Sequence, residues 1–153
     1  MNFNIENAPD FTGDFPVRRG GLAERYKKRE MIMPVKIDKP TIIKAVGNKP
    51  KVIEEYIGRV NSQTSELSIA HMVSPAGWIE PGQKPDFNEY TVVLQGVLRV
   101  KTETQELEIQ AGEAVIVEAN EWVQYSTPNE NGAEYIAVCL PAFSSESVHR
   151  DDE

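Results

Sequence analysis

The stretch Gly77-Trp-Ile-Glu-Pro-Gly-Gln-Lys-Pro-Asp-Phe-Asn-Glu-Tyr-Thr-Val-Val-Leu-Gln-Gly96 decides how the rest of the chain is read. Its first half is broken by turn chemistry: Gly77 closes the connector Ser74-Pro75-Ala76-Gly77, and Pro81-Gly82 marks a tight turn that carries Gln83 onward. Its second half, Phe87 to Leu94, is rich in β-branched and aromatic residues and stops at Gln95-Gly96. A strand bounded by turns is expected there.

The same alternation of short strand and turn extends outward from this stretch to residue 41 on one side and to about 140 on the other. Further strands are expected over Thr41 to Val46, Val52 to Val60, Glu66 to Val73, Leu98 to Thr102, Glu106 to Gln110, Ala114 to Glu118, Trp122 to Ser126 and Glu134 to Leu140. Their connectors include Asn48-Lys49-Pro50, Ala111-Gly112 and Pro128-Asn129-Glu130-Asn131-Gly132. Val52, Ile53, Tyr56, Ile57 and Val60 also fit a helical stripe, but their β-branching and Gly58 favour a strand. No long amphipathic helix follows residue 40, which excludes an alternating α/β fold. Eight or nine short strands close into an all-β jelly-roll barrel with a lumen of ligand size. Residues 1 to 40 lack a sustained period and are read as an extended N-terminal arm, with a short helix from Leu22 to Arg29. Residues 144 to 153 form a polar C-terminal tail.

Composition limits the function classes. With 153 residues, 40% hydrophobic and 26% charged, the chain is sized for one domain with a full core. Its apolar runs are too short to span a bilayer, and its start lacks the features of a secretory signal, so a cytoplasmic protein is expected. The one cysteine, Cys139, sits in an apolar strand and is read as a core residue. The net charge of -8 is uneven: residues 1 to 40 carry +2, while the remainder holds eight Lys or Arg against eighteen Asp or Glu, giving -10. Such an acidic body repels phosphate backbones, so no nucleic-acid partner is expected. The basic cluster Arg18, Arg19, Arg25, Lys27, Lys28 and Arg29 is read as a solvated arm. Phosphate loops, Cys-x-x-Cys pairs, nucleophile elbows and metalloprotease helices are all absent from the sequence.

The stretch from Gly77 to Gly96 resembles the first motif of the cupin family. In that family a glycine is followed by His-x-His, then a glutamate, then a second glycine. Gly77, Glu89 and Gly96 occupy the matching positions, while Gln83 and Pro85 stand where the two histidines would be. In the second motif Gly112 matches the leading glycine, but Glu118, Asn120 and Val123 replace the usual proline, glycine and histidine. The resemblance covers roughly two thirds of the chain, residues 41 to 143, and implies a double-stranded β-helix barrel of a small single-domain cupin with a degenerate metal motif.

The family's metal is normally held by three imidazoles and a carboxylate, a set suited to iron, manganese, nickel or zinc. Only His71 and His149 are present in the chain, so no metal or other cofactor is expected; a divalent ion on oxygen ligands is the weaker alternative. The resemblance also implies that Glu89 points into the barrel, where burial without a metal raises its pKa and suits it to proton transfer. His71 is its candidate partner. Thr91 and Val93 follow Glu89 inward by strand alternation, and Tyr90 and Val92 face out. Gln83, Glu89, Thr91, Trp78, Trp122 and Tyr125 are the expected pocket; Glu80, Asp86 and His149 are expected to be solvated.

Two readings of function stay open, and whether the chain is an enzyme stays open with them. One is a binding protein for a polar metabolite, a sugar or organic acid, in the lumen. The other is a metal-independent isomerase, epimerase or lyase with Glu89 as general acid and base. A homodimer through the outer sheet is compatible with both.

Overall fold

A computed structural model describes residues 34 to 151 of the chain. The helix expected over 22 to 29, and most of the arm, lie outside these residues. Nine strands follow: β1 (Thr41–Lys44), β2 (Val52–Ile57), β3 (Ser68–Ser74), β4 (Trp78–Ile79), β5 (Asn88–Thr102), β6 (Glu106–Gln110), β7 (Ala114–Val117), β8 (Val123–Thr127) and β9 (Ala133–Leu140). Among the described residues there is no α-helix, only a 3-10 turn at Ser145–Ser147.

All pairings between these strands are antiparallel. One layer runs β1-β2-β3-β9-β5, with β7 on the far edge of β5; the other is built by β4, β8 and β6 on the second half of β5. β5 therefore belongs to both layers, pairing with β9 and β7 through Asn88 to Gly96 and with β6 and β8 from Val97 onward. The sheet is an all-β jelly roll, as the turn spacing predicts.

β5 corrects the sequence reading. Gln95-Gly96 was expected to separate two strands, but the chain runs straight through as one strand of 15 residues. The glycine marks a bulge: the register against β9 shifts between Val93 and Gln95, and Gly96 has φ +73°. A one-residue shift exchanges the two faces of a strand. Thr91 and Val93 are buried before it, whereas Leu98, Val100 and Thr102 are buried after it. Only glycine fits, because a Cβ on Gly96 would collide with the carbonyl oxygen of Gly132.

Two groups of buried side chains fill the barrel. Trp78, Val93, Leu98, Val100, Val117, Val123, Tyr125 and Tyr135 belong to the larger, and Phe87, Cys139 and Val148 with Phe143 to the smaller. The C-terminal tail contributes to the second group. It was expected to be solvated, but its backbone pairs with residues 82 to 86, through Lys84 N to His149 O, Asp86 N to Ser147 O and Asp151 N to Gly82 O, and Val148 is fully buried.

Candidate functional site

Between the two apolar groups lies a cavity of about 80 Å³, enough for about half a dozen water-sized occupants. Strand alternation decides what lines it. On β2 Ile53 and Glu55 turn inward, on β3 Ser68, Ala70 and Met72, on β9 Tyr135, Ala137 and Cys139. Glu89 enters from β5 and Tyr125 from β8, while Glu80, Gln83, Phe87 and Arg150 close one end.

Glu89 stands in the lumen. One carboxylate oxygen accepts the Thr91 hydroxyl at 3.1 Å, and the other faces the Cys139 thiol at 4.0 Å. Burial raises its pKa, and Lys51 and the hydroxyls of Thr91 and Tyr125 only partly oppose that. Thr91 is 1% exposed and serves Glu89 rather than the cavity wall. Tyr125 is 5% exposed, and its hydroxyl lies close enough to Glu89 to act on that carboxyl without making a well-aligned hydrogen bond to any group. Burial and the neighbouring carboxylates raise its pKa well above that of a free phenol. Gln83 is buried, fixed by backbone bonds with Val123 in both directions, 2.9 and 2.8 Å.

Several expectations are corrected. His71 does not reach Glu89. It alternates with Ala70 and Met72 and so lies on the outer face, where its ring bridges Glu54 and Glu134 at 2.8 Å each. Trp122 is half-buried and donates its Nε1 to Asp151 at 3.0 Å, where it packs beside the side-chain-free Gly82 outside the cavity lining. Trp78 is 1% exposed and forms a support behind the cavity rather than its mouth. Glu80, expected in solvent, lines the lumen; His149 and Asp86 do stay at the surface, paired at 2.7 Å. Tyr90 and Val92 face outward on β5, as alternation predicts.

Lys51 and Glu80 were missed by the sequence reading, and both carry charge into the lumen. Lys51 lies one residue before β2 and continues the inward series Lys51, Ile53, Glu55. Its ammonium sits 4.1 Å from the centre of the Trp78 ring and 5.4 Å from that of Tyr135. Burial pulls its pKa down, but Tyr135, Glu80 and Glu89 together outweigh burial and hold it above the ordinary lysine value. Glu80 follows the two-residue strand β4, where Trp78 points in and Ile79 out. Burial and Glu89 push its carboxyl up to about 7, against the opposing pull of Lys51 and Arg150. Arg150 reaches the cavity from the tail, and its buried Nε has no partner. Alternation counted from Val52 and from Trp78 was the signal that could have found Lys51 and Glu80.

The donor set does not fit the family's metal. Pro85 has no donor, Val123 is wholly buried in the apolar core, and no three His, Cys, Asp or Glu side chains converge among the described residues. The lumen already holds the ammonium of Lys51 near Glu80 and Glu89.

A double-layered antiparallel barrel whose shared strand carries an inward glutamate between Gly77 and Gly96 defines the class: this is a cupin-fold protein. No family model matches the sequence. A predicted oxalate decarboxylase from Thermotoga maritima superposes over 71% of this chain and 99% of its own, with TM-score 0.60 at 16% identity. An oxalate decarboxylase mutant from Bacillus subtilis gives TM-score 0.64 at 15% identity, over 80% of this chain and 33% of that one. The polyketide cyclase RemF from Streptomyces resistomycificus gives 0.57 at 15%, over 76% and 89%. In sequence, the chain is 38% identical over 101 residues to a Myxococcus xanthus protein named endoribonuclease YbeY, across 66% of this chain and 34% of that protein. The chain thus spans about a third of that relative. Among the described residues no helix is long and apolar enough to cross a membrane.

Proposed function

We propose that the chain is a small-molecule binding protein whose barrel lumen takes a polar metabolite. The observation that carries this is a pair of buried donors at the cavity, the Arg150 Nε with no partner and the Tyr125 hydroxyl beside Glu89 with no well-aligned one, among several other polar lining groups. A buried polar atom without a partner costs about 1–3 kcal/mol, and a ligand that supplies the bond recovers it. Differential scanning of the full chain against a panel of small sugars and organic acids tests the reading. At least one class should raise the melting temperature in a concentration-dependent way, and Tyr125→Phe should reduce the shift. A panel without effect on either protein would sink it.

A second reading, proton-transfer catalysis without a metal, is supported by one specific observation: two carboxyls, Glu80 and Glu89, share the lumen and both titrate above the ordinary range. Glu80, with its carboxyl near 7, is matched to giving and taking protons at neutral pH, and burial moves Glu89 in the same direction. Glu89 is the acid and base in this reading, Glu80 the second site for the proton, and His71 has no part. Glu89→Gln would then abolish turnover and leave ligand affinity largely intact. The endoribonuclease activity in the name of the Myxococcus protein is not carried over, because residues 41 to 153 carry -10 and repel a phosphate backbone.

A further inference from the structure

The geometry points to Lys51 as a fixed cation of the lumen that selects an organic anion, a small carboxylate, as the ligand. This rests on the lumen reading above and narrows it. An ammonium removed from water needs a counter-charge or it becomes costly. Lys51 has only part of one. Aromatic faces at 4.1 and 5.4 Å hold it from one side, and it forms no ion pair among the described residues.

The carboxylates around it fill that role only in part, from a distance and without closing an ion pair. Glu55 is committed elsewhere: its Oε1 accepts the backbone N–H of Val60 at 2.9 Å and of Asn61 at 2.8 Å, which ties down the loop after β2. Glu80 and Glu89 are near Lys51 without touching it, and both are biased towards the neutral acid. A neutral carboxyl donates a hydrogen bond. Lys51, the Arg150 Nε, the Tyr125 hydroxyl and, when protonated, Glu80 or Glu89 together present two fixed cations and several donors to the cavity. A ligand carboxylate provides the acceptors and the charge together. A neutral sugar supplies neither the charge nor a preference for this site. The volume of about 80 Å³ limits the ligand to a short acid of a few carbons.

Isothermal calorimetry at pH 6.0, below the Glu80 carboxyl at about 7, separates charge from shape. The probes are acetate, malonate and succinate, each against its uncharged counterpart acetamide, malonamide or succinamide, with the wild-type chain, Lys51→Met and Lys51→Arg. At least one acid is expected to bind tenfold or more tightly than its amide. Lys51→Met should lose that preference while Lys51→Arg keeps most of it, with circular dichroism confirming that each variant is folded. The acid-against-amide ratio in the wild type is decisive even if Lys51→Met does not fold. Amides binding as tightly as acids would overturn the anion assignment and leave the lumen reading standing. A preference for acids that survives in folded Lys51→Met would overturn the role of Lys51. If neither series binds, both readings fall.

Discussion

The two faces of the β2-β3-β9 sheet carry titratable clusters built from neighbouring residues of the same strands, and they are wired in opposite ways. Outside, Glu54 of β2 lies directly opposite His71 of β3, Glu134 of β9 lies diagonally from it, opposite Val73, and the imidazole donates or accepts at 2.8 Å on both sides. Inside, Glu55 of β2 and Tyr135 of β9 face the cavity, joined there by Lys51, Glu80, Glu89 and Tyr125. The outer cluster is paired within itself and partly exposed, so the carboxylate oxygens it leaves over face water. The inner one is enclosed and incompletely paired: Tyr125 and Arg150 retain free donors, and the charges are near each other without closing ion pairs. Neither the presence of a histidine nor a count of charges distinguishes a binding site from a surface ornament. The distinction lies in which polar atoms remain unpaired once the strands have set their faces.

The largest expected effect tests whether the inner cluster depends on its apolar support. Trp78 is almost fully buried and carries the ammonium of Lys51 on its ring. Trp78→Ala should cost about 3–5 kcal/mol, the usual range for deleting a large buried aromatic side chain. Ile116→Ala, on the outer face of β7 and 64% exposed, should cost less than about 0.5 kcal/mol. Urea midpoints of the two variants provide the comparison. Similar losses at the two positions would mean that the outer face is not free surface, and the contrast between faces would fail.

A medium effect, read through pH, concerns Glu80. Its carboxyl stands at about 7 in the folded chain, against 4.5 for the unperturbed group, so the folded state holds the proton more tightly than the unfolded state. The stability associated with that proton is fully present below pH 4.5 and is lost as pH rises through 7. With one pKa unit equal to about 1.4 kcal/mol, the loss is at most about 3.5 kcal/mol. Glu80→Gln stays neutral at every pH. It should match the wild type near pH 4.5 and exceed it in urea midpoint at pH 8, the gap opening between those values. A gap that is constant with pH would show that Glu80 is an ordinary solvated carboxylate, as its position in a loop had implied.

That implied exposure shows where the sequence stopped being informative. The fold was legible because turn residues and β-branched runs repeat along the chain and because Gly77, Glu89 and Gly96 fall on the family's spacing. That Glu89, Gln83 and Tyr125 would border a lumen was legible from the two motifs on or beside which they lie, whereas Thr91 turns inward but supports Glu89 in place of the cavity wall. Gly96 was misread as a turn because a bulge and a turn both require a glycine with positive φ; the difference lies in whether Val97 continues the pairing, which is set by β6 and β8 far along the chain. His71 was assigned to the lumen on chemical type alone, although its face depends on register with β2 and β9. Lys51 and Glu80 were passed over because a charge in a polar connector is ordinarily solvated. Their connectors are short extensions of β2 and β4, so alternation persists past the last paired residue and turns them inward. The tail had no periodicity to read; Val148 and Arg150 are placed by backbone bonds to residues 82 to 86.

The smallest effect belongs to the outer cluster and has the same sign as that of Glu80 in a different window. The hydrogen bond to Glu54 raises the His71 pKa, burial opposes this, and Glu134 adds to the rise. Stability from this group is therefore fully present below the unfolded value of 6.5 and disappears as pH climbs through the higher folded value. Solvent reaches the ring and screens both partners, which limits the contribution to about 1 kcal/mol or less. His71→Gln, which keeps hydrogen-bonding capacity without the charge, should lie below the wild type by that amount at pH 5.5 and coincide with it by pH 9. Raising sodium chloride from about 0.05 to 0.5 M should shrink the difference at pH 5.5, because exposed pairs are screened over a few ångströms at that ionic strength. The Glu80 gap, arising mainly from burial rather than from an exposed pair, should survive the same salt. If salt removed the Glu80 gap and spared that of His71, the two faces would have been assigned the wrong way round.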